Sequence, residues 1–119
     1  MKRILVMDDD PATRLAIRAV LEPSGYEVAE AADGEEGMES QRRQPADLAI
    51  VDILMPKKEG IETIRELRRD FPETKIIAVS GSGAQYLSAA RDFGVALAFT
   101  KPFDRDEMLE SVRGLLGDA

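Results

Sequence analysis

The sequence predicts an α/β fold, in which five parallel strands alternate with five helices in a doubly wound sheet. Short continuous apolar runs rich in Ile and Val are typical of strands buried on both faces. Between these runs lie helical patterns with recognisable starts, and strict alternation requires parallel strands joined by right-handed crossovers. A chain of 119 residues has room for one domain, so we expect a single domain over 1–119 without an effector domain.

Three strands are the clearest elements, because each is an apolar run that ends in a polar residue. They are Ile4 to Met7 before Asp8, Leu48 to Val51 before Asp52, and Ile76 to Val79 before Ser80. Weaker patterns predict a second strand over Tyr26 to Ala31 and a fifth over Leu97 to Thr100. These five segments complete the sheet.

The first helix is predicted from Asp10 as N-cap with Pro11 at the first helical position. Four apolar residues recur along it at helical spacing: Leu15, Ala16, Ala19 and Val20. A second helix is predicted from Asp33 and a third from about Glu59. The third helix has one apolar face, made by Ile61, Ile64, Leu67 and Phe71.

A fourth helix is predicted from about Ala84 to Phe93, closed by Gly94. Asp104 followed three residues later by Glu107 resembles a capping box and predicts the start of the fifth helix. The apolar stripe of that helix is Met108, Leu109, Val112, Leu115 and Leu116.

The composition excludes several functional classes. The chain carries 16 basic and 23 acidic residues, a net charge of −7, which argues against direct binding to nucleic acid. It has no Cys and no His, which excludes a disulfide, a thiolate nucleophile, an imidazole base and a phosphohistidine on this chain. No apolar stretch reaches the length of a membrane span or signal peptide, so we expect a cytoplasmic protein that does not contact a membrane.

Five polar residues follow the predicted strands, where the site of an open parallel sheet lies: Asp8, Asp9, Asp52, Ser80 and Lys101. Each alone has an ordinary interpretation as a turn or capping residue. Together they imply that carboxylates converge, and two carboxylates about 4 Å apart repel by about 4 kcal/mol at an effective dielectric near 20. A hard cation such as Mg²⁺ would offset this repulsion, with Lys101 as a second cation and Ser80 as a hydroxyl donor. These are the parts needed for phosphoryl transfer to an aspartate.

Four stretches carry a resemblance to a known family: Ile4 to Asp10, Asp52 to Pro56 with Gly60, Ala78 to Gly81, and Thr100 to Phe103. Their order and spacing, over nearly the whole chain, resemble the receiver domain of two-component response regulators. The resemblance implies a flavodoxin-like sheet with strand order 2-1-3-4-5.

The resemblance also implies residue roles. Asp52 would accept a phosphoryl group from a phosphohistidine on a sensor histidine kinase or phosphotransfer protein. Mg²⁺ would be held by Asp9, Asp52 and the backbone carbonyl of Leu54, with Asp8 acting through water. Lys101 would pair with the phosphoryl oxygens and Ser80 would donate a hydrogen bond to them. The Lys101–Pro102 peptide is expected to be cis.

By the same resemblance the chain is a switch and not an enzyme: it would catalyse only its own phosphorylation and dephosphorylation. Phosphorylation would change its affinity for a downstream protein that binds the fourth helix, fifth strand and fifth helix. One departure is Ala98, where the family usually has Tyr or Phe. The adjacent Phe99 should face the opposite side of the sheet, into the core, because side chains alternate along a strand.

Two alternatives stay open. A haloacid-dehalogenase-like phosphohydrolase also forms an aspartyl-phosphate with Mg²⁺, and Asp8 and Asp10 form its D-x-D pattern. However, Ala12 replaces its usual Thr or Val, and 119 residues leave no room for a cap. A pseudo-receiver scaffold normally lacks an acidic residue, the phosphoacceptor or the Lys. None of these is missing here, and only Ala98 favours that alternative.

Overall fold

The chain forms a five-stranded parallel sheet with the order β2-β1-β3-β4-β5 in a computed structural model that describes residues 1–53, 60–81, 88 and 91–118. The strands are β1 (Arg3–Met7), β2 (Glu27–Ala31), β3 (Leu48–Asp52), β4 (Lys75–Ser80) and β5 (Leu97–Thr100). All four strand pairs are parallel. The predicted fold class and strand order are confirmed.

The helices follow the strands as the sequence predicted. They are α1 (Pro11–Leu21), extended by a short 3₁₀ helix (Glu22–Ser24), α2 (Gly34–Arg43), α3 (Gly60–Asp70) and a C-terminal helix (Arg105–Leu116). The fourth predicted helix lies largely outside the described residues. Within its predicted range, the described residues Ser88, Arg91 and Asp92 are helical. None of the helices in the described part of the chain combines the length and apolarity that crossing a bilayer requires.

Aspartate caps begin three of the helices, as predicted. The Asp10 carboxylate accepts a hydrogen bond from the Ala12 amide at 3.0 Å. The Asp33 carboxylate accepts a hydrogen bond from the Glu36 amide of α2 at 2.8 Å. Asp104 caps the C-terminal helix through the amides of the two residues at N2 and N3. Each cap satisfies an amide that has no partner within its helix, worth about 1 kcal/mol relative to Ala.

The sheet is covered on both faces by separate apolar clusters. Alternate residues of β1 enter opposite clusters: Leu5 and Met7 pack on the side of α2 and α3, and Ile4 and Val6 on the side of α1 and the C-terminal helix. All five residues of β3 are buried. The predicted continuous apolar strands are therefore explained by burial on both sides.

The predicted apolar stripe of α1 is wrong in part. Leu15 is 63% exposed and Ala19 is also exposed, whereas the buried residues of this helix are Ile17 and Leu21. The buried face of α1 differs from the predicted one because Ile17 and Leu21 pack in the same cluster as Met108 of the C-terminal helix. A helical period fits more than one phase of this apolar-rich sequence, and the neighbouring helix selects the phase.

Gly60 lies where α3 is pressed against the end of β3. Its amide donates to the Ile53 carbonyl at 2.8 Å. A Cβ atom at this position would lie 2.3 Å from the Asp52 carbonyl oxygen and 2.4 Å from the Ile53 Cα. Both are backbone atoms that cannot move aside, so the close approach of α3 to the end of β3 requires a glycine.

Tyr26 connects the start of β2 to the C-terminus. Tyr26 is a buried residue whose hydroxyl donates to the Asp118 carboxylate at 2.8 Å, and the Lys2 ammonium pairs with the same carboxylate at 3.3 Å. Burial, together with the hydrogen bond to Asp118, raises the pKa of Tyr26 to about 12. This interaction joins two segments that are 92 residues apart.

We predict that Gly60→Ala lowers the free energy of unfolding by about 1–3 kcal/mol, the usual cost of overpacking. Urea unfolding followed by circular dichroism measures it. Gly114→Ala is the matched control, because Gly114 lies inside the C-terminal helix with no atom within 4 Å of its Cβ position. The control should gain about 0.5–1 kcal/mol from helix propensity. Equal effects of the two changes would contradict the packing explanation.

We also predict that Tyr26 ionises near pH 12 and that Asp118→Asn moves its pKa toward 10. Because the pKa of Tyr26 is raised in the folded state, its contribution to the free energy of unfolding is fully present below pH 10. The contribution is lost between pH 10 and 12, because the tyrosine of the unfolded chain loses its proton at the lower pH. Tyrosinate absorbance is measured in a Tyr86→Phe background, which leaves Tyr26 as the only tyrosine. A midpoint near pH 10 in protein still folded by circular dichroism would refute the assignment.

Candidate functional site

Three carboxylates converge at the carboxyl end of the sheet. Asp8 and Asp9 follow β1, and Asp52 is the last residue of β3; one carboxylate oxygen of each lies within 4.8 Å of the others. The parallel register pairs Met7 with Val51, so that the next residues on the two strands meet. Asp8 and Asp52 are buried, at 3% and 5% exposure, while Asp9 is exposed.

Asp8 is held by hydrogen bonds at its backbone and at both carboxylate oxygens. Its amide donates to the Ala31 carbonyl of β2 at 3.0 Å. Its Oδ1 accepts from the Asp10 amide at 2.9 Å, and its Oδ2 accepts from the Lys101 ammonium at 2.8 Å. The orientation of this carboxylate is therefore determined by contacts within the protein.

Lys101 lies between two carboxylates. Its Nζ is 2.8 Å from Asp8 Oδ2 and 3.2 Å from Asp52 Oδ2. Burial by itself would lower the pKa of Lys101, but the hydrogen bond to Asp8 and the charges of Asp52 and Asp8 outweigh it and raise the pKa. The ammonium is therefore protonated at neutral pH and offsets part of the repulsion between the carboxylates.

The segment that carries Lys101 is fixed by β4. The Lys101 amide donates to the Ser80 carbonyl at 2.9 Å. The Lys101–Pro102 peptide is cis, as the resemblance implied. Ser80 is fully buried at the end of β4 and is the register partner of Thr100. The side chains expected to surround the site thus come from β1, β3, β4 and the turn after β5.

Ala98 and Phe99 lie on opposite faces of β5, as predicted. Ala98 packs with the α2 and α3 cluster and, through the register, shares its face with Ser80. Phe99 packs with the opposite cluster, with its ring centroid 6.4 Å from that of Phe103. Phe99 therefore cannot replace the aromatic ring that the family usually has at position 98.

One predicted ligand, the Leu54 carbonyl, lies outside the described residues. Conversely, the structure brings a residue to the site that the sequence did not predict. Arg14 of α1 donates from a guanidinium nitrogen to the Asp8 carbonyl at 2.6 Å. No local sequence pattern indicates this contact, because it depends on how α1 lies against the end of β1.

The donor set fits a hard divalent cation. Carboxylate oxygens are the ligands that Mg²⁺ prefers, and Mg²⁺ usually keeps several waters, which the exposed position of Asp9 allows. Two of the three carboxylates are buried, and one ammonium is shared between them. Within the described part of the chain, this cluster therefore retains excess negative charge that a cation would offset.

Comparison with known proteins agrees with this geometry. Residues 4–113 match the family described as the response regulator receiver domain. The chain is 35% identical over 119 residues to protein CcdB of Bacillus subtilis, covering 98% of this chain and 99% of CcdB. Other relatives are longer: the chain spans about half of RpaA of Synechocystis and of DltR of Streptococcus agalactiae. The absence of an effector domain stays a prediction.

Solved structures give the same answer. A CheY-like receiver domain from Methanospirillum hungatei superimposes with a TM-score of 0.94 at 31% identity, covering 98% of this chain and 94% of that one. The response regulator TrrA of Thermotoga maritima, in complex with Mg²⁺-BeF, has a TM-score of 0.87 at 36% identity, with 97% and 99% covered. This chain therefore belongs to the response regulator receiver domains, the signalling modules of two-component systems.

Proposed function

We propose that the chain is a phosphorylation-controlled switch in which Asp52 accepts a phosphoryl group from a sensor histidine kinase or a phosphotransfer protein. The observation that carries the proposal is the Lys101 ammonium between the carboxylates of Asp8 and Asp52, with Asp9 completing the acidic cluster. A buried carboxylate beside a fixed cation is suited to become an acyl phosphate, because the cation can offset the incoming charge.

The proposed metal is Mg²⁺, held by Asp9, Asp52 and the Leu54 carbonyl, with Asp8 acting through water. The carboxylate donor set supports this choice, as does the Mg²⁺-BeF complex of the relative TrrA. When bound, the ion would supply positive charge close to the phosphoacceptor.

In the proposed step, a carboxylate oxygen of Asp52 attacks the phosphorus of the donor phosphohistidine. The P–O bond forms as the P–N bond breaks, and the electron pair of that bond returns to the imidazole nitrogen. With the other ring nitrogen of the donor protonated, the donor histidine leaves as a neutral imidazole. The Lys101 ammonium would then donate its hydrogen bond to the phosphoryl oxygens instead of to the Asp52 carboxylate. Ser80 would donate a further hydrogen bond to them, which requires its buried hydroxyl to approach Asp52.

The proposed output is a change in affinity for a downstream protein. Phosphorylation would favour one of two conformations, and the partner would bind the surface made by the fourth predicted helix, β5 and the C-terminal helix. The net charge of −7 supports a protein partner over direct contact with nucleic acid. Residence in the cytoplasm, away from membranes, stays a prediction.

We predict that incubation with a small phosphodonor and Mg²⁺ adds one phosphoryl mass to the chain and that Asp52→Asn abolishes the addition. Intact mass spectrometry measures this. Asp47→Asn is the matched control, because Asp47 lies just before the same strand and at its opposite end. A phosphoryl mass on Asp52→Asn would disprove the assignment. Repeated turnover of a phosphate ester would instead favour the haloacid-dehalogenase alternative. Absence of any phosphoryl labelling of the parent chain would favour the pseudo-receiver alternative.

We further predict that Lys101→Met decreases the rate of phosphorylation by about 100-fold or more, the usual effect of removing one charge-stabilising group. Mg²⁺ affinity should be retained or increased, because the Lys101 ammonium occupies oxygens of Asp8 and Asp52 and repels a second cation. Amide chemical shifts during a MgCl₂ titration measure the affinity. Weaker Mg²⁺ binding in this variant would contradict the role assigned to Lys101.

A further inference from the structure

Arg14 bridges the acidic turn and the edge strand of the sheet. One guanidinium nitrogen donates to the Asp8 carbonyl at 2.6 Å, and its Nε donates to Glu30 Oε1 at 2.9 Å. The side chain is only 17% exposed. A single planar group therefore connects α1, the turn after β1 and the carboxyl-terminal part of β2.

Glu30 is itself anchored, so it can hold Arg14 in place. Its second oxygen pairs with an Arg18 nitrogen at 2.6 Å, and another nitrogen of Arg18 donates to the Val28 carbonyl of β2 at 2.6 Å. Each carboxylate oxygen of Glu30 thus contacts a different arginine. Contacts at both carboxylate oxygens, each to a different arginine, restrict the rotation of Glu30 more than one contact would.

The Asp8 carbonyl matters because it belongs to the peptide unit that joins Asp8 to Asp9. A peptide unit is planar, so holding its oxygen also sets the position of the Asp9 nitrogen and Cα. On the other side of Asp8, the amide is bound to Ala31 and the carboxylate to the Asp10 amide. Arg14 supplies the contact that orients the Asp8–Asp9 peptide.

We propose that Arg14, held by Glu30, is a positioning residue that orients the turn bearing Asp8 and Asp9 so that their carboxylates meet that of Asp52. Its role toward Mg²⁺ rests on the proposed function, whereas its hold on the turn does not depend on a metal. Arg14 contacts the backbone of the acidic turn and acts on the metal site only through it.

Positioning and simple charge make opposite predictions for Arg14. A positive charge near the site repels a cation, so on charge alone the loss of Arg14 would tighten Mg²⁺ binding. Loss of a group that orients ligands should weaken it, by about tenfold for a partner that supports metal ligands. The direction of the change therefore separates the two roles.

The experiment compares Arg14→Met with the parent by amide chemical shifts during a MgCl₂ titration at constant ionic strength. We expect the Mg²⁺ dissociation constant to rise about tenfold. Arg14→Lys should also remain weakened, because an ammonium keeps the charge but not the forked geometry. An unchanged or lower dissociation constant in Arg14→Met, or full recovery in Arg14→Lys, would overturn the proposal.

The matched control is Arg3→Met. Arg3 of β1 pairs with Glu27 of β2 at 2.5 Å, at the end of these strands away from the acidic turn. This variant removes the same charge and a similar ion pair, and its Mg²⁺ affinity should not change. A tenfold loss in both variants would assign the effect to general destabilisation and contradict positioning.

Hydrogen exchange in metal-free protein tests the turn separately. The Asp10 amide donates to Asp8 Oδ1, so we expect it to exchange about tenfold faster in Arg14→Met and at the parental rate in Arg3→Met. Parental exchange in Arg14→Met would refute the positioning role. If the parent binds no Mg²⁺ but Arg14→Met still speeds exchange, the proposed metal chemistry fails while the hold of Arg14 on the turn stands.

Discussion

The mutual repulsion of carboxylates at the carboxyl end of the sheet is the constraint on which the site depends. Asp8 and Asp52 are both buried, where charge is poorly screened, and one carboxylate oxygen of each lies within 4.8 Å of the other and of Asp9. The Lys101 ammonium offsets part of this repulsion by bonding to both buried carboxylates. Within the described residues, the carboxylate charge left after this pairing is what the proposed divalent cation and phosphoryl transfer would use.

The fold supports this unfavourable arrangement through contacts that the strands alone do not provide. Parallel pairing brings the ends of β1 and β3 together, and the bond from the Lys101 amide to the Ser80 carbonyl fixes the turn that carries the ammonium. Gly60 allows α3 to approach the backbone of Asp52. Two apolar clusters, one on each face of the sheet, supply the burial that stabilises the fold despite the concentrated charge.

Lys101 has two proposed roles, and its single ammonium cannot fulfil both completely at the same time. It holds the carboxylates of Asp8 and Asp52 while the site is unphosphorylated, and it would turn to the phosphoryl oxygens afterwards. A group that changed partners in this way would link the chemical state of Asp52 to the turn before Phe103, whose ring lies 6.4 Å from that of Phe99. Because Ala98 has no ring, this route through Lys101 is a candidate for coupling the site to β5 and the C-terminal helix.

The sequence by itself determined the fold class, the strands, the aspartate caps and which side chains follow the strands, because apolar period and capping are local properties of the chain. Parallel topology then brought Asp8, Asp9, Asp52, Ser80 and Lys101 to one edge. Only the tertiary structure decided the phase of α1, since Leu15 and Ile17 fit a helical stripe equally well until Met108 packs against one face. It also decided that Arg14 reaches the Asp8 carbonyl, because the target of a long side chain depends on how whole elements pack and not on sequence spacing.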